Sequence, residues 1–90
     1  PVHGYGAAGR SQMFINMTGT ADCFDRVFDD SPLRRGRYIV GTDVPIVPFT
    51  QQDRGGACAI LAWNYAGSIS RHIHDHFDVI ATILPAYRQW

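Results

Sequence analysis

Gly4-Tyr5-Gly6-Ala7-Ala8-Gly9 is a complete G-x-G-x-x-G run in a chain of 90 residues. Glycines at this spacing serve three ends. One permits a tight strand-to-helix turn, one lets backbone approach a phosphate, and one lets the helix pack close to the sheet with its amino terminus facing the anion. A helix-like segment follows, then a strand ending in Asp29 and Asp30. Asp29 lies twenty residues after Gly9, where an acid meets ribose hydroxyls. The amides of Gly6–Gly9 are therefore expected to face a phosphate, with Asp29 or Asp30 on the ribose. A turn kept only for packing is the alternative that spacing leaves open.

Three further groups bear on chemistry. Arg34, Arg35 and Arg37 follow Ser31-Pro32, and guanidinium groups there suit bidentate phosphate binding; a solvated loop offset by Asp29, Asp30 and Asp43 is the plainer reading. Trp63-Asn64-Tyr65 ends the most apolar run. An amide between two aromatics at a strand's carboxyl end is placed to touch a ligand, or Asn64 caps the next helix. His72, His74 and His76 share a face on a strand and would suit zinc. On a helix only His72 and His76 do, and the Ile69, Ile73, Phe77 spacing favours a helix, so they read as a polar outer face. A nucleophile with its base is missing: there is no G-x-S-x-G, and Cys23 has no electropositive setting.

Positioning these groups calls for alternating strands and helices. Residues 1–6 end in the glycine turn. Residues 10–18 place Met13, Phe14 and Met17 on one helical face, with Gly19 as C-cap. Residues 24–29 alternate as a strand, 30–43 form a loop, and 44–49 are an edge strand because of Pro45 and Pro48. Residues 57–63 are a continuous apolar run suited to a central parallel strand. Residues 67–77 form an amphipathic helix with Ser68 as N-cap, and 78–84 form a last strand stopped by Pro85. The expected fold class is α/β: a single domain over 1–90 with a small Rossmann-like parallel sheet of four to five strands, helices on both faces and ligands at the carboxyl ends.

Composition narrows the function. Formal net charge is zero, which argues against nucleic acid and anionic membrane as partners. There is no apolar run of about 18 residues and no signal peptide pattern. All eight bases are Arg and all eight acids Asp. Without Lys, neither Schiff-base chemistry nor a P-loop is available, and without Glu the helices must lean on packing. Cys23 and Cys58 sit in apolar stretches and read as two buried thiols in a reducing, cytoplasmic compartment; one disulfide is the alternative. A chain starting at Pro1, three residues before its first motif, reads as a domain of a longer polypeptide.

GYGAAGR, DDSPLRRGRYIVGTDVPI, ILAWNYAGSI and DVIATILP occur in that order. The combination resembles the C-terminal domain of sugar-nucleotide C-methyltransferases, over roughly residues 2 to 85. That family pairs a GYGA-type turn with a D-x-x-P-x-x-x-G-x-x-x-P-G-T-type loop and an L-x-W-N-[FY] strand end. This chain has Arg10 where many members have Lys, and Val40 where Pro precedes Gly-Thr. The resemblance implies a three-part, S-adenosylmethionine-dependent enzyme that methylates a carbon of a nucleotide-linked sugar. Zinc and methyl donor would belong to the preceding domains, with no cofactor in this chain. The last domain would frame the sugar-nucleotide and dock on the catalytic methyltransferase domain. By motif, the substrate-binding candidates are Gly4, Tyr5, Gly6, Ala7 and Gly9, then Asp30, Arg37 and Thr42, then Trp63 and Asn64; none is catalytic. If docked, Phe49 and Trp90 are expected in an exposed apolar patch. The alternatives are a docking domain that binds nothing small and a small nucleotide-binding module. An independent dinucleotide enzyme would need a second βαβαβ half.

Overall fold

Apolar residues alternate along short strands here, and the alternation sends them to two separate cores. The computed structural model describes residues 1–84 and 86–90. In chain order the strands are β1 (Val2–Tyr5), β2 (Arg26–Phe28), β3 (Ile46–Val47), β4 (Ala57–Ile60), β5 (Val79–Thr82) and β6 (Arg88–Gln89). The helices are α1 (Gly9–Thr18), between β1 and β2, and α2 (Ala66–His72), between β4 and β5. One six-stranded sheet runs β3-β2-β1-β4-β5-β6. Every pairing is parallel except β5 with β6. Tyr5 stands opposite Phe28 on one side and Ile60 on the other, so three strands end at one level.

Successive residues of β2 divide between the cores. Phe28 joins Tyr5, Cys58, Ile60, Ala66, Ile73, Phe77 and Ile80. Val27 joins Ala7, Ile15, Ile39, Val44, Ile46 and Leu61. Helix α2 thus contributes Ala66 to the first core and α1 contributes Ile15 to the second. Gly4 faces the second core, where a Cβ would stand 2.9 Å from Leu61 Cδ1 and 3.1 Å from Val27 Cγ2.

Several expectations change. A sixth strand joins the four to five foreseen. Its two residues are polar and show no periodicity; they pair because the edge of β5 is open, and Trp90 N–H extends the ladder to Ile80 O at 2.7 Å. Pro85, expected to stop β5, lies outside the described residues. In α1 the buried residues are Ser11 and Ile15, while Met13 and Met17 are exposed. Phe14 of the expected face is half-buried against the second core; the two methionines are not, because Ser11 is small enough to lie against the sheet.

Helix α2 starts at Ala66 rather than Gly67 and ends at His72 rather than 77, with Tyr65 and not Ser68 at its N-cap. Asp75, at φ 68°, cannot continue a helix. Ile73 and Phe77 are still buried, because the turn after α2 folds onto the same core. Phe49 packs into that core, 5.4 Å from the Phe28 ring and 4.9 Å from that of His76, so it is not a member of an exposed patch. Trp90 remains partly exposed. Both cysteines are free, but Cys23 is exposed. Burial pushes the Cys58 thiol up to about 12.

His3 lies on central β1, between the Phe28 and Phe77 rings at 5.5 and 5.6 Å. Its Nδ1 is buried without a hydrogen-bond partner among the described residues. Burial first, and then the Arg26 charge, hold this imidazole below its ordinary 6.5, against the opposing pull of Asp25 and Asp53. Below pH 6.5 the folded state therefore binds fewer protons than the unfolded one. Stability carries no penalty from His3 above that pH and falls as pH drops toward the depressed value. The expected result is a urea midpoint that declines from about pH 7 to about pH 5 more steeply in the native chain than in His3→Phe. Parallel curves would remove His3 from the account.

Candidate functional site

The chain runs outward from β1 through β2 to β3, then returns to place β4 on the other side of β1. This reversal puts a topological switch point at the carboxyl ends of β1 and β4, where open α/β sheets form ligand crevices. Tyr5 O accepts from Leu61 N at 2.8 Å and Ala62 N at 3.2 Å, so the two strand ends are tied together. Gly6 then turns the chain at φ 103°.

The glycine turn does not present all its amides to solvent. Gly6 N–H donates to Phe28 O at 2.7 Å. Ala7 N–H donates to Asp29 Oδ2 at 2.7 Å. Asp29 is buried and also accepts from Ser31 N at 2.7 Å and Arg34 Nη1 at 3.3 Å. Its carboxylate is thus a clasp between the ends of β1 and β2, filled by protein donors rather than open to a ribose. The amides left over lie one step further on. The first bond of α1 runs from Gln12 N to Ala8 O, so the N–H groups of Ala8–Ser11 have no intrahelical acceptor. No side chain caps this end and no acid lies in its first turn.

These amides border a hollow of about 510 Å³, lined by Ala8, Gly9, Arg10, Ser11 and residues 61–65. That size falls within the roughly 300–1,000 Å³ of small-molecule sites. Trp63–Tyr65 forms a single 3-10 turn leading into α2, and all three of its residues line the hollow together with Arg10. Asn64 does not cap α2.

Of the sequence candidates, Gly9, Trp63 and Asn64 line this hollow, while Gly6 and Ala7 lie behind it with their amides bonded to Phe28 O and Asp29 Oδ2. Gly4 lies within β1, facing Leu61 and Val27. Tyr5 is enclosed by Phe28 and Phe49 and donates its hydroxyl to Asp30 Oδ1 at 2.7 Å. Burial and that bond hold its phenol well above the ordinary range. Its ring faces are taken up by Phe28 and Phe49, whereas Tyr65 is exposed and Trp63 half-buried. Arg37 is exposed, and its carbonyl accepts from Ile46 N beside β3. Thr42 is set apart: its hydroxyl donates to Ile39 O and accepts from Val44 N, closing a turn. It borders a different hollow with Ala21, Asp22 and Phe24. Arg10, noted in the sequence only as standing where many family members have Lys, lines the hollow at α1 because the helix begins beside it.

Residues 1–83 match the family described as the C-methyltransferase C-terminal domain. The chain belongs to that family. A search of curated proteins finds no match. In this C-methyltransferase C-terminal domain, no three His, Cys, Asp or Glu side chains converge as a metal site among the described residues. His74 pairs with Asp75 at 3.1 Å, and His76 Nδ1 lies 3.0 Å from Asp53 O. Among the described residues no helix is long and apolar enough to cross a membrane.

Proposed function

We propose that this C-methyltransferase C-terminal domain frames a nucleotide-linked sugar by holding its diphosphate at the amino end of α1. The uncapped helix end opening into the switch-point hollow carries the reading: unpaired amides and a helix dipole favour an anion there. Arg10 adds a charge-assisted contact, and Trp63, Asn64 and Tyr65 supply a wall for the rest of the molecule. The residues present offer binding and orientation. Methyl transfer from S-adenosylmethionine to a sugar carbon, with zinc, would belong to other domains of one cytoplasmic polypeptide.

A chemical-shift titration with nucleoside diphosphates and nucleotide-sugars tests this. Amides of residues 8–11 and 62–65 are expected to move by millimolar ligand. Arg10→Ala should weaken binding about ten-fold, and Arg37→Ala less than about two-fold. Silence at both segments would end the reading. It would then favour a docking domain that binds nothing small, which Met13, Met17 and Val40 support. They are exposed on α1 and on the loop it holds through Gln12 and Asn16.

A further inference from the structure

Resting on that reading, we infer that the base of the nucleoside diphosphate lies on the β4–β5 side, between the Trp63–Asn64 turn and the C-terminal tail, and not over β2. In the ordinary arrangement of such a fold the ribose reaches the acid at the end of β2. Here that acid, Asp29, is buried and already holds Ala7, Ser31 and Arg34. A sugar hydroxyl at Asp29 would have to displace an internal donor, and one oxygen of the neighbouring Asp30 already accepts the Tyr5 hydroxyl at 2.7 Å.

The other side is open and furnished. A second hollow, of about 500 Å³, is lined by Trp63, Asn64, Thr82, Tyr87, Arg88 and Trp90 among others. It shares Trp63 and Asn64 with the hollow at α1, so the two hollows adjoin at that turn. Its far wall is held by backbone and side chain together. Trp90 N–H donates to Ile80 O at 2.7 Å, and its indole Nε1–H lies 3.4 Å from Thr82 Oγ1. The Arg88 guanidinium carbon sits 3.8 Å over the indole ring. Aromatic faces with a stacked guanidinium bind nucleobases through stacking and cation–π contact. Asn64 is exposed, and its amide offers both a donor and an acceptor to a base edge. The tail lies beyond residue 83, where the family match ends.

The test follows the two indole N–H signals of the 90-residue chain, Trp63 and Trp90, alongside the amides of residues 8–11. Uridine diphosphate and adenosine diphosphate are compared with inorganic pyrophosphate. Both nucleotides should move both indoles and residues 8–11, and pyrophosphate residues 8–11 alone. Trp90→Ala should weaken nucleotide binding about five-fold or more while sparing pyrophosphate. Arg88→Gln, which keeps the backbone pairing of β6, should act in the same direction if Trp90→Ala loosens the sheet edge. Nucleotides that move residues 8–11 but leave the Trp90 indole still, with unchanged affinity in both variants, would overturn the tail site and leave the phosphate reading standing. Movement of the tail with residues 8–11 silent would keep the base site and remove the phosphate one. No response to any probe would overturn both.

Discussion

Gly6→Ala is expected to destabilise the domain by about 3 kcal/mol. Two costs combine. A non-glycine residue at positive φ carries roughly 1–2 kcal/mol, and Gly6 stands at φ 103°. A Cβ there would also lie 2.6 Å from Ala62 Cβ and 3.0 Å from Ala62 N, an overlap that costs about 1–3 kcal/mol to relieve. Neither neighbour is the movable end of a long side chain; both belong to the segment tied to Tyr5 O. Thermal unfolding of a domain this size should shift down by roughly 12–24 °C. Gly19→Ala is the control. Gly19 has φ 65° with nothing within 4 Å of its Cβ position, so only the backbone cost of about 1 kcal/mol applies. Equal losses in the two variants would show that close approach to Ala62 contributes nothing.

Asp29→Ala should cost about 2–4 kcal/mol, because its carboxylate serves donors from three residues. The Ala7 amide is the decisive one. Ala7 is fully buried, so its N–H finds no water when the carboxylate goes, and an orphaned buried donor costs about 1–3 kcal/mol. Ser31 N–H and Arg34 are less enclosed and recover solvent. Asp29→Asn keeps one acceptor oxygen and should lose about half as much in urea denaturation. If the two variants were alike and near neutral, the clasp would be incidental. Both this change and Gly6→Ala act on the ground from which α1 starts, so each should also weaken any anion held at residues 8–11.

Local sequence carried a definite share of this. The G-x-G-x-x-G run determined a strand-to-helix turn, because a reversal at positive φ against a neighbouring backbone leaves no room for a side chain. The apolar run from Ala57 determined a central strand, since only strands covered on both faces need no polar alternation. Pro45 beside Ile46 determined an edge, as β3 proves to be. The order of these segments also sufficed for the C-methyltransferase C-terminal domain family.

Tertiary structure decided what the site exposes. Asp29 and Asp30 are adjacent and chemically alike, yet one clasps Ala7 and the other accepts the Tyr5 hydroxyl. Nothing local separates them, because their partners lie 22 and 25 residues away. Tyr5 sits within the motif, but strand alternation turns its ring into a core closed by Phe28 and Phe49. Of the expected apolar face only Phe14 packs on the second core, while Met13 and Met17 stay exposed, since Ser11 and Ile15 are the residues α1 buries. Arg88 and Gln89 become a strand only because β5 offers an unpaired edge. Periodicity reports which residues share a side of an element; it carries no information on which neighbour that side will meet. Free amides, filled carboxylates and open hollows are set by those neighbours, and so they appear only once the chain is folded.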